Sequence, residues 1–397
     1  MTVRTETGEI MREAQRIGLF AESRERFGWD ALVEFARQNL DSPPDAPGTS
    51  AEFPRQAWRR AGGYGVLGLP VPVEYGGKGI DVKSTAMAME ALGYGCRDNG
   101  LLAAINAHMW SCVVPIWEFG TEEQKRHLLP RLCNGEWVAA HAATESQAGS
   151  DIFSLKTSAE RAGNKYILNG KKTFIMNAPV ADWVVVFATI DPNQGSEGIT
   201  GFVVENGTRG MEVSRVINKM GLRHAPLGEI AFTNCEIPVE NRLGPEGNGS
   251  LMFQHSMQWE RTLILAPHVG TMRRVLEKCV QYARRRRQFG QSIGKFQSIS
   301  NRIADMKMRV ECSRLLLYQA ADILQKKTRL APEASMAKLF ISEAAVQTYL
   351  DAIQIHGALG YTDELEFGED LQDAIGTTIF SGTSDIQRQI IARHLGL

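Results

Sequence analysis

Twice along the chain the spacing of apolar residues changes period, and this limits the possible folds more than any other feature. From about residue 9 to 130 the pattern is helical: 54–61 opens with a first-turn proline, while 84–94 and 100–119 are rich in Ala, Leu and Met without strand alternation. Thr121 and Gln124 have the spacing of a capping box that opens one more helix. Pro43, Pro44, Pro47 and Gly48 mark an early loop, and 70–79 a second. After Asn134-Gly135, short β-branched runs take over at 165–168, 183–190, 201–205 and 229–232, separated by Gly, Asn, Asp and Pro. From about Gly249 helical texture returns in long stretches, 251–287, 296–327 and 332–359, followed by a last segment to Leu397. The pattern predicts an α+β multidomain chain. Its parts are an N-terminal all-α domain (1–132), a small middle β-barrel or sandwich domain (133–245) and a C-terminal four-helix bundle (246–397).

Composition removes several classes of function. With 44 basic and 45 acidic side chains, the chain has no net field to draw in nucleic acid or an anionic membrane, so any anion site is local. The six cysteines show no CxxC pair and no short Cys/His spacing, which predicts reduced core thiols and no metal site. The N-terminal stretch carries Glu6, Glu9 and Glu13 among its basic residues and lacks a compact apolar segment. No apolar run reads as a bilayer span, so a cytoplasmic protein is expected. There is no P-loop, zinc motif or GxSxG elbow, and the glycines at 62–65 lack the preceding strand of a dinucleotide fingerprint.

Five short segments carry chemistry-bearing residues, and each also has a bland explanation. Ala143-Thr144-Glu145 with Ala148-Gly149-Ser150-Asp151 could be an ordinary turn between strands, and 169–177 (NGKKTFIMN) a plain strand with a turn at Asn169-Gly170. The arginines at 284–287, followed by Gln288-Phe289-Gly290 and Phe296-Gln297, could be a solvated helix end. Gln354-Ile355-His356-Gly357-Ala358-Leu359-Gly360-Tyr361 could be a glycine-terminated helix, and Phe380-Ser381-Gly382-Thr383-Ser384-Asp385 a helix N-cap.

In this order, however, the five resemble the acyl-CoA dehydrogenase family, from about residue 55 to the C-terminus. The resemblance implies FAD as cofactor and α,β-dehydrogenation of an acyl thioester. It assigns His141, Thr144, Ser150, Phe174, Ile175, Met176, Arg286, Phe289, Gln297, Gln354, Gly357, Ala358, Thr383 and Asp385 to the cofactor, and Ser150, Gln258, Arg261 and Gly382 to the substrate. Arg286, Gln297 and the 354–360 turn are expected to complete the FAD site of a neighbouring chain, which implies a homotetramer. Three positions depart from the family's pattern. Met176 stands where the family has Ser or Thr and cannot donate a hydrogen bond as a hydroxyl can. Ala358 replaces a glycine, and Ser381 stands where many members carry the catalytic glutamate.

The chemistry needs a base for the Cα proton, a grip on the thioester carbonyl and a hydride acceptor. A serine hydroxyl is a very poor base. The isovaleryl and long-chain branches carry the glutamate on the first long helix of the bundle, just before an arginine, and Trp259-Glu260-Arg261 matches that place. Leu263, Ile264 and Leu265 predict a buried setting in which a carboxylate without a role would be expensive. Glu260 is therefore the expected base, and Ser381 is expected to act through its backbone N–H. Coenzyme A and an acyl carrier protein both remain open as acyl carriers, as do electron-transfer flavoprotein and oxygen as electron acceptors. Met176 also leaves open an oxygen-using oxidase or monooxygenase on the same fold, and Ser381 a catalytically silent flavin-binding partner subunit.

Overall fold

The computed structural model describes residues 28–41, 52–326 and 332–397. The expected helical texture between residues 9 and 27 and the proline-marked loop at 43–48 lie outside the described residues, as does the acidic N-terminal stretch. Helix α1 (Trp29–Asn39) buries Trp29, Leu32, Val33 and Ala36 on one face. Helix α2 (Arg55–Tyr64) starts after Pro54, which takes the cap position and not the first turn, and stops at Gly65, whose φ of 99° is open to glycine. Asp81 and Asp98 cap α3 (Val82–Gly95) and α4 (Asn99–His108) through the N–H groups of Ser84 and Leu101.

Helix α4 runs through a π-helical turn (Met109–Val113) into α5 (Val114–Phe119). Contrary to the sequence reading, the 21 residues Asn99–Phe119 are long and apolar enough to cross a membrane. The most apolar 18-residue window of this stretch is 83% buried inside the protein, so its apolar character is spent on the core. Helix α6 (Glu122–Cys133) has the expected capping box between Thr121 and Gln124. The Gln124 amide also donates to the carbonyls of Glu240 and Arg242, tying this helix to the β-rich region.

The β-rich region is built from β1 (Ala139–Ala142), β2 (Ser158–Ala162), β3 (Lys165–Met176), β4 (Trp183–Thr189), β5 (Ile199–Glu205), β6 (Met211–Ile217), β7 (Leu227–Pro238) and β8 (Arg242–Leu243). These form the expected small middle β domain, an eight-stranded sheet in the order β6-β7-β3-β2-β4-β5-β8, with β1 parallel to β4. The turn read at Asn169-Gly170 is an irregularity inside a continuous strand, because β3 keeps pairing with β7 across register shifts at 168/170 and 172/175. Gly170 is required there, since a Cβ would meet Thr157 Oγ1 at 2.5 Å.

The expected 251–287 stretch divides into α7 (Gly249–Leu263) and α8 (Ala266–Arg285), because Pro267 opens a new first turn. A two-strand hairpin, β9 (Arg287–Gln288) with β10 (Gln291–Ser292), leads to α9 (Gln297–Gln325). Then come α10 (Pro332–His356), α11 (Phe367–Thr377) and α12 (Ser384–His394). One apolar cluster joins N- and C-terminal helices, with Trp58, Met89, Trp110, Leu263, Leu317 and Tyr349 all buried, and Leu222 and Ala225 enter it from the β6–β7 connection. This shared core brings the end of α7 against the π turn and fixes where the candidate site lies.

Candidate active site

Glu260 lies in the last turn of α7 and is 8% exposed. Burial pushes its carboxyl above the ordinary range, against the pull of the Ser111 and Ser381 hydroxyls and of Arg261 and Lys338. Each carboxylate oxygen has its own donor: Ser381 Oγ bonds Oε1, and Ser111 Oγ bonds Oε2. The neighbouring residue Trp259 stacks on Trp110 at 6.2 Å and meets Trp117 edge-on at 6.2 Å. The site is a single buried acid whose pKa is raised by burial, a setting that suits proton transfer.

The turn that carries Ser381 is held from several sides. Ser381 and Gly382 have φ of 57° and 87°, two successive left-handed residues. Arg261 Nε reaches Ser381 O at 3.4 Å, Lys338 Nζ reaches Gly382 O at 2.8 Å, and the Gln387 amide reaches both carbonyls at 3.2 and 2.9 Å. Burial brings the Lys338 ammonium down to about 8, helped by Arg261 and opposed by Glu260. Burial also lowers the Arg261 guanidinium, with Glu260 opposing. Gln258, one turn earlier on α7, is only partly buried.

On the sheet, the shift between Lys172 and Ile175 sets Thr173 and Phe174 opposite one residue of β7. Phe174 consequently takes φ 57° and presents its ring 61% exposed. Ile175 points into the sheet's apolar interior, so only its backbone is available, while Met176 packs against the helical core. The Thr173 N–H donates to Thr144 O at 2.9 Å, which joins the two sheet motifs. The Asn177 amide ties the strand end to Ala104 O at 3.0 Å, on the helix that continues to Ser111. His141 lies between Phe187 and Phe253, its Nε2 is buried without a protein partner, and burial with nearby Lys172 brings it down to about 4. Ser150 stands exposed on its loop. An exposed ring, an orphaned imidazole nitrogen and exposed hydroxyl and backbone groups fit a planar aromatic cofactor with polar edges.

Other residues named from sequence lie elsewhere. Tyr282 stacks on His356 at 4.2 Å, which puts the Arg286 segment and the 354–360 turn at one end of the bundle. Lys338 and His356 sit on the same helix about 27 Å apart, taking ~1.5 Å per residue. Arg286, Phe289, Gln297, Gln354, Gly357 and Ala358 are thus far from the Glu260 carboxylate. All are solvent-exposed, Phe289 to 92% at a hairpin tip with φ 49°. Thr383 caps α12 by accepting the Ile386 N–H at 3.2 Å, and Asp385 projects into solvent with Arg388 3.9 Å away.

Three family models match the chain in succession: acyl-CoA dehydrogenase N-terminal domain over 24–136, middle domain over 140–235 and C-terminal domain over 247–396. The chain belongs to the acyl-CoA dehydrogenase family. It is therefore a flavoprotein oxidoreductase of the class acting on CH–CH groups of acyl thioesters. An L-prolyl-[peptidyl-carrier protein] dehydrogenase of Pseudomonas fluorescens is 46% identical over 349 residues, covering 88% of this chain and 92% of that relative. The crystal structure of the prolyl acyl carrier protein oxidase AnaB is 49% identical, with a TM-score of 0.93 over 95% of this chain and all of that one. A structure of PigA with FAD and proline is 41% identical, with a TM-score of 0.92 over 95% of this chain and 98% of that one.

Membership in this acyl-CoA dehydrogenase family explains the motifs, yet sequence reasoning did not assign Ser111, Lys338 or Gln387 to the site. Ser111 stands in an apolar stretch that reads as core. Lys338 carried the better signal, a lysine between Ala337 and Leu339 on a face with no other charge nearby, which implies a buried partner.

Proposed function

We propose that the enzyme oxidises the Cα–Cβ bond of a prolyl group held as a thioester on a carrier protein, with Glu260 taking the Cα proton in the isovaleryl-type arrangement. The observation that carries this reading is the buried Glu260 carboxylate, bonded to the serine that replaces the glutamate of other members. The resemblance of the whole chain to prolyl-carrier enzymes supports the acyl group and its carrier. FAD, when bound, supplies the acceptor for the hydride leaving Cβ, so that a C=C bond forms as the cofactor gains two electrons. Around it, Phe174 offers a ring face, Thr144, Ser150 and the backbone of Ile175 and Met176 offer polar edges, and His141 offers its unpaired nitrogen.

The chain's own residues perform the rest. The Ser381 N–H has no intrachain acceptor among the described residues and serves as donor to the thioester carbonyl, making the α-proton acidic. Arg261, Lys338 and Gln387 grip the carbonyls of 381–382 and so aim that N–H. Burial of the carboxylate raises its pKa above the ordinary range, which favours its acting as a base. The exposed Arg286, Phe289, Gln297 and 354–360 face completes a neighbour's cofactor site in a homotetramer built as a dimer of dimers.

Oxygen is the acceptor favoured for the reduced enzyme, because AnaB is an oxidase and Met176 stands where a hydroxyl would otherwise be. A second reading, transfer to an acceptor other than oxygen such as an electron-transfer flavoprotein, is favoured by the similarity to a dehydrogenase of P. fluorescens. Anaerobic bleaching by prolyl-loaded carrier protein, by prolyl-CoA and by short acyl-CoAs tests the substrate, and admitting air afterwards tests the acceptor. Bleaching by the prolyl carrier alone and fast recovery in air are expected. Efficient bleaching by acyl-CoAs and none by the carrier thioester would overturn the substrate assignment, and slow recovery in air would overturn the acceptor.

A further inference from the structure

The helix from Asn99 to Phe119 changes its winding at one place. Within Met109–Val113 it is a π turn, and the Val114 N–H bonds Met109 O, five residues back where an α-helix would reach four. An inserted residue turns everything after it by about 100° around the axis. This sets two neighbouring side chains of the turn against two neighbouring side chains of α7. Trp110 stacks on Trp259, and the next residue, Ser111, bonds Oε2 of the next residue, Glu260. The Trp110 ring is in turn held by its Nε1–H on Asn106 Oδ1 at 2.6 Å, so the register is fixed from both sides.

Ser111 is 3% exposed, and the carboxylate it touches already has a second hydroxyl on its other oxygen. A buried serine here does more than fill space, because a hydroxyl can both donate and accept. While Glu260 is ionised, both serines donate to it. Once one oxygen holds a proton, that oxygen becomes a donor and its serine can rotate to accept. A lysine or arginine in the same place could not reverse its role.

We propose that Ser111 is a positioning residue for the reaction: presented by the π turn, its hydroxyl holds Oε2 of Glu260 so that, with Ser381 on Oε1, the carboxylate stays oriented and ionised as the base. This rests on the reading of Glu260 as the base. The other charged or titratable groups around the carboxylate are Arg261 on α7, Lys338 on α10 and Cys112 on the π turn, whose thiol burial and Glu260 together push up. None of the three is hydrogen-bonded to a Glu260 side-chain oxygen, so the serines alone set its direction.

Removing a donor to the charged form raises a carboxyl's pKa. In Ser111→Ala the acid limb of flavin reduction should therefore move to higher pH by about one unit, a roughly tenfold loss of rate on that limb. The high-pH plateau should fall far less. The test is anaerobic stopped-flow reduction of the holoenzyme by prolyl-loaded carrier protein across pH. It is paired with an infrared titration of the carboxyl band that Glu260→Gln removes, a readout that needs no turnover. Ser111→Cys, nearly isosteric with a weaker donor, should fall between wild type and Ser111→Ala, and it replaces the alanine variant if that one does not fold. An acid limb and an infrared midpoint that both coincide with wild type would overturn the proposal, even if stability or KM changed. If Glu260→Gln reduced its flavin normally, the base assignment would fail, whereas an infrared shift in Ser111→Ala would still report the contact.

Discussion

The ion pair between Lys172 and Glu145 sets the geometry of the candidate cofactor face, and its removal has a calculable outcome. Lys172 is 0% exposed and Glu145 3%, with Nζ and Oε1 2.8 Å apart. Burial alone would raise the Glu145 carboxyl, but Lys172 and the donors from 156–157 outweigh it and hold it at about 2. Burial brings Lys172 down to about 8 against the attraction of Glu145. The carboxylate also accepts the N–H groups of Lys156 and Thr157 at 2.7 and 2.9 Å, whereas Lys172 otherwise reaches only Ala143 O at 2.9 Å. Breaking a buried pair costs about 3–5 kcal/mol, and Glu145→Gln, which keeps an acceptor for the two N–H groups, should cost about 3. Lys172→Met leaves a carboxylate that is still well bonded and should cost about 1–2 kcal/mol. The double variant should be more stable than the sum of the singles by about 2 kcal/mol. Urea unfolding of the FAD-free protein gives all three values, and FAD retention should fall in parallel with Glu145→Gln. The sign with pH follows from the lowered folded pKa. The stabilisation is complete above the unfolded value of 4.5 and is lost as pH falls toward about 2, so wild type and Glu145→Gln should converge in acid. Simple additivity, or a Glu145→Gln cost below about 1 kcal/mol, would refute the pair's role.

Two further outcomes concern the rest of the proposed site. Arg286→Ala should release FAD on dilution and shift sedimentation toward smaller species, and an unchanged tetramer with full FAD would contradict the neighbour-site assignment. Ser381→Ala keeps the backbone N–H and should slow flavin reduction about tenfold at most near neutral pH, through one lost donor. A loss as large as that of removing Glu260 would contradict its assigned role.

Local signals carried most of the architecture. The capping box at Thr121 and Gln124 and the β-branched runs around 183–190 act over a few residues, so the sequence alone reveals them. The failures were cases in which distant contacts decided. Asn169-Gly170 has turn composition, yet β7 pairs on both sides of it and keeps the strand going. Pro267 carries the local signal of a helix start, and α8 begins there. The FAD motifs were legible as a resemblance, but the separation of the 354–360 turn from Lys338, about 27 Å along one helix, required the structure. Glu260 itself was legible because an acid in an apolar run needs a reason. Its partners were not, since Ser381 and Ser111 lie 121 and 149 residues away in sequence.

The central claim is that Glu260 takes the α-proton, and anaerobic flavin reduction in Glu260→Gln tests it most directly. The substitution keeps size and leaves oxygen and nitrogen for the two serines, so FAD content, fold and binding of the prolyl carrier thioester should match wild type. Flavin reduction should be slower by about two to four orders of magnitude, the usual contribution of a positioned general base. Reduction within a few-fold of wild type by the same substrate would remove Glu260 from the mechanism.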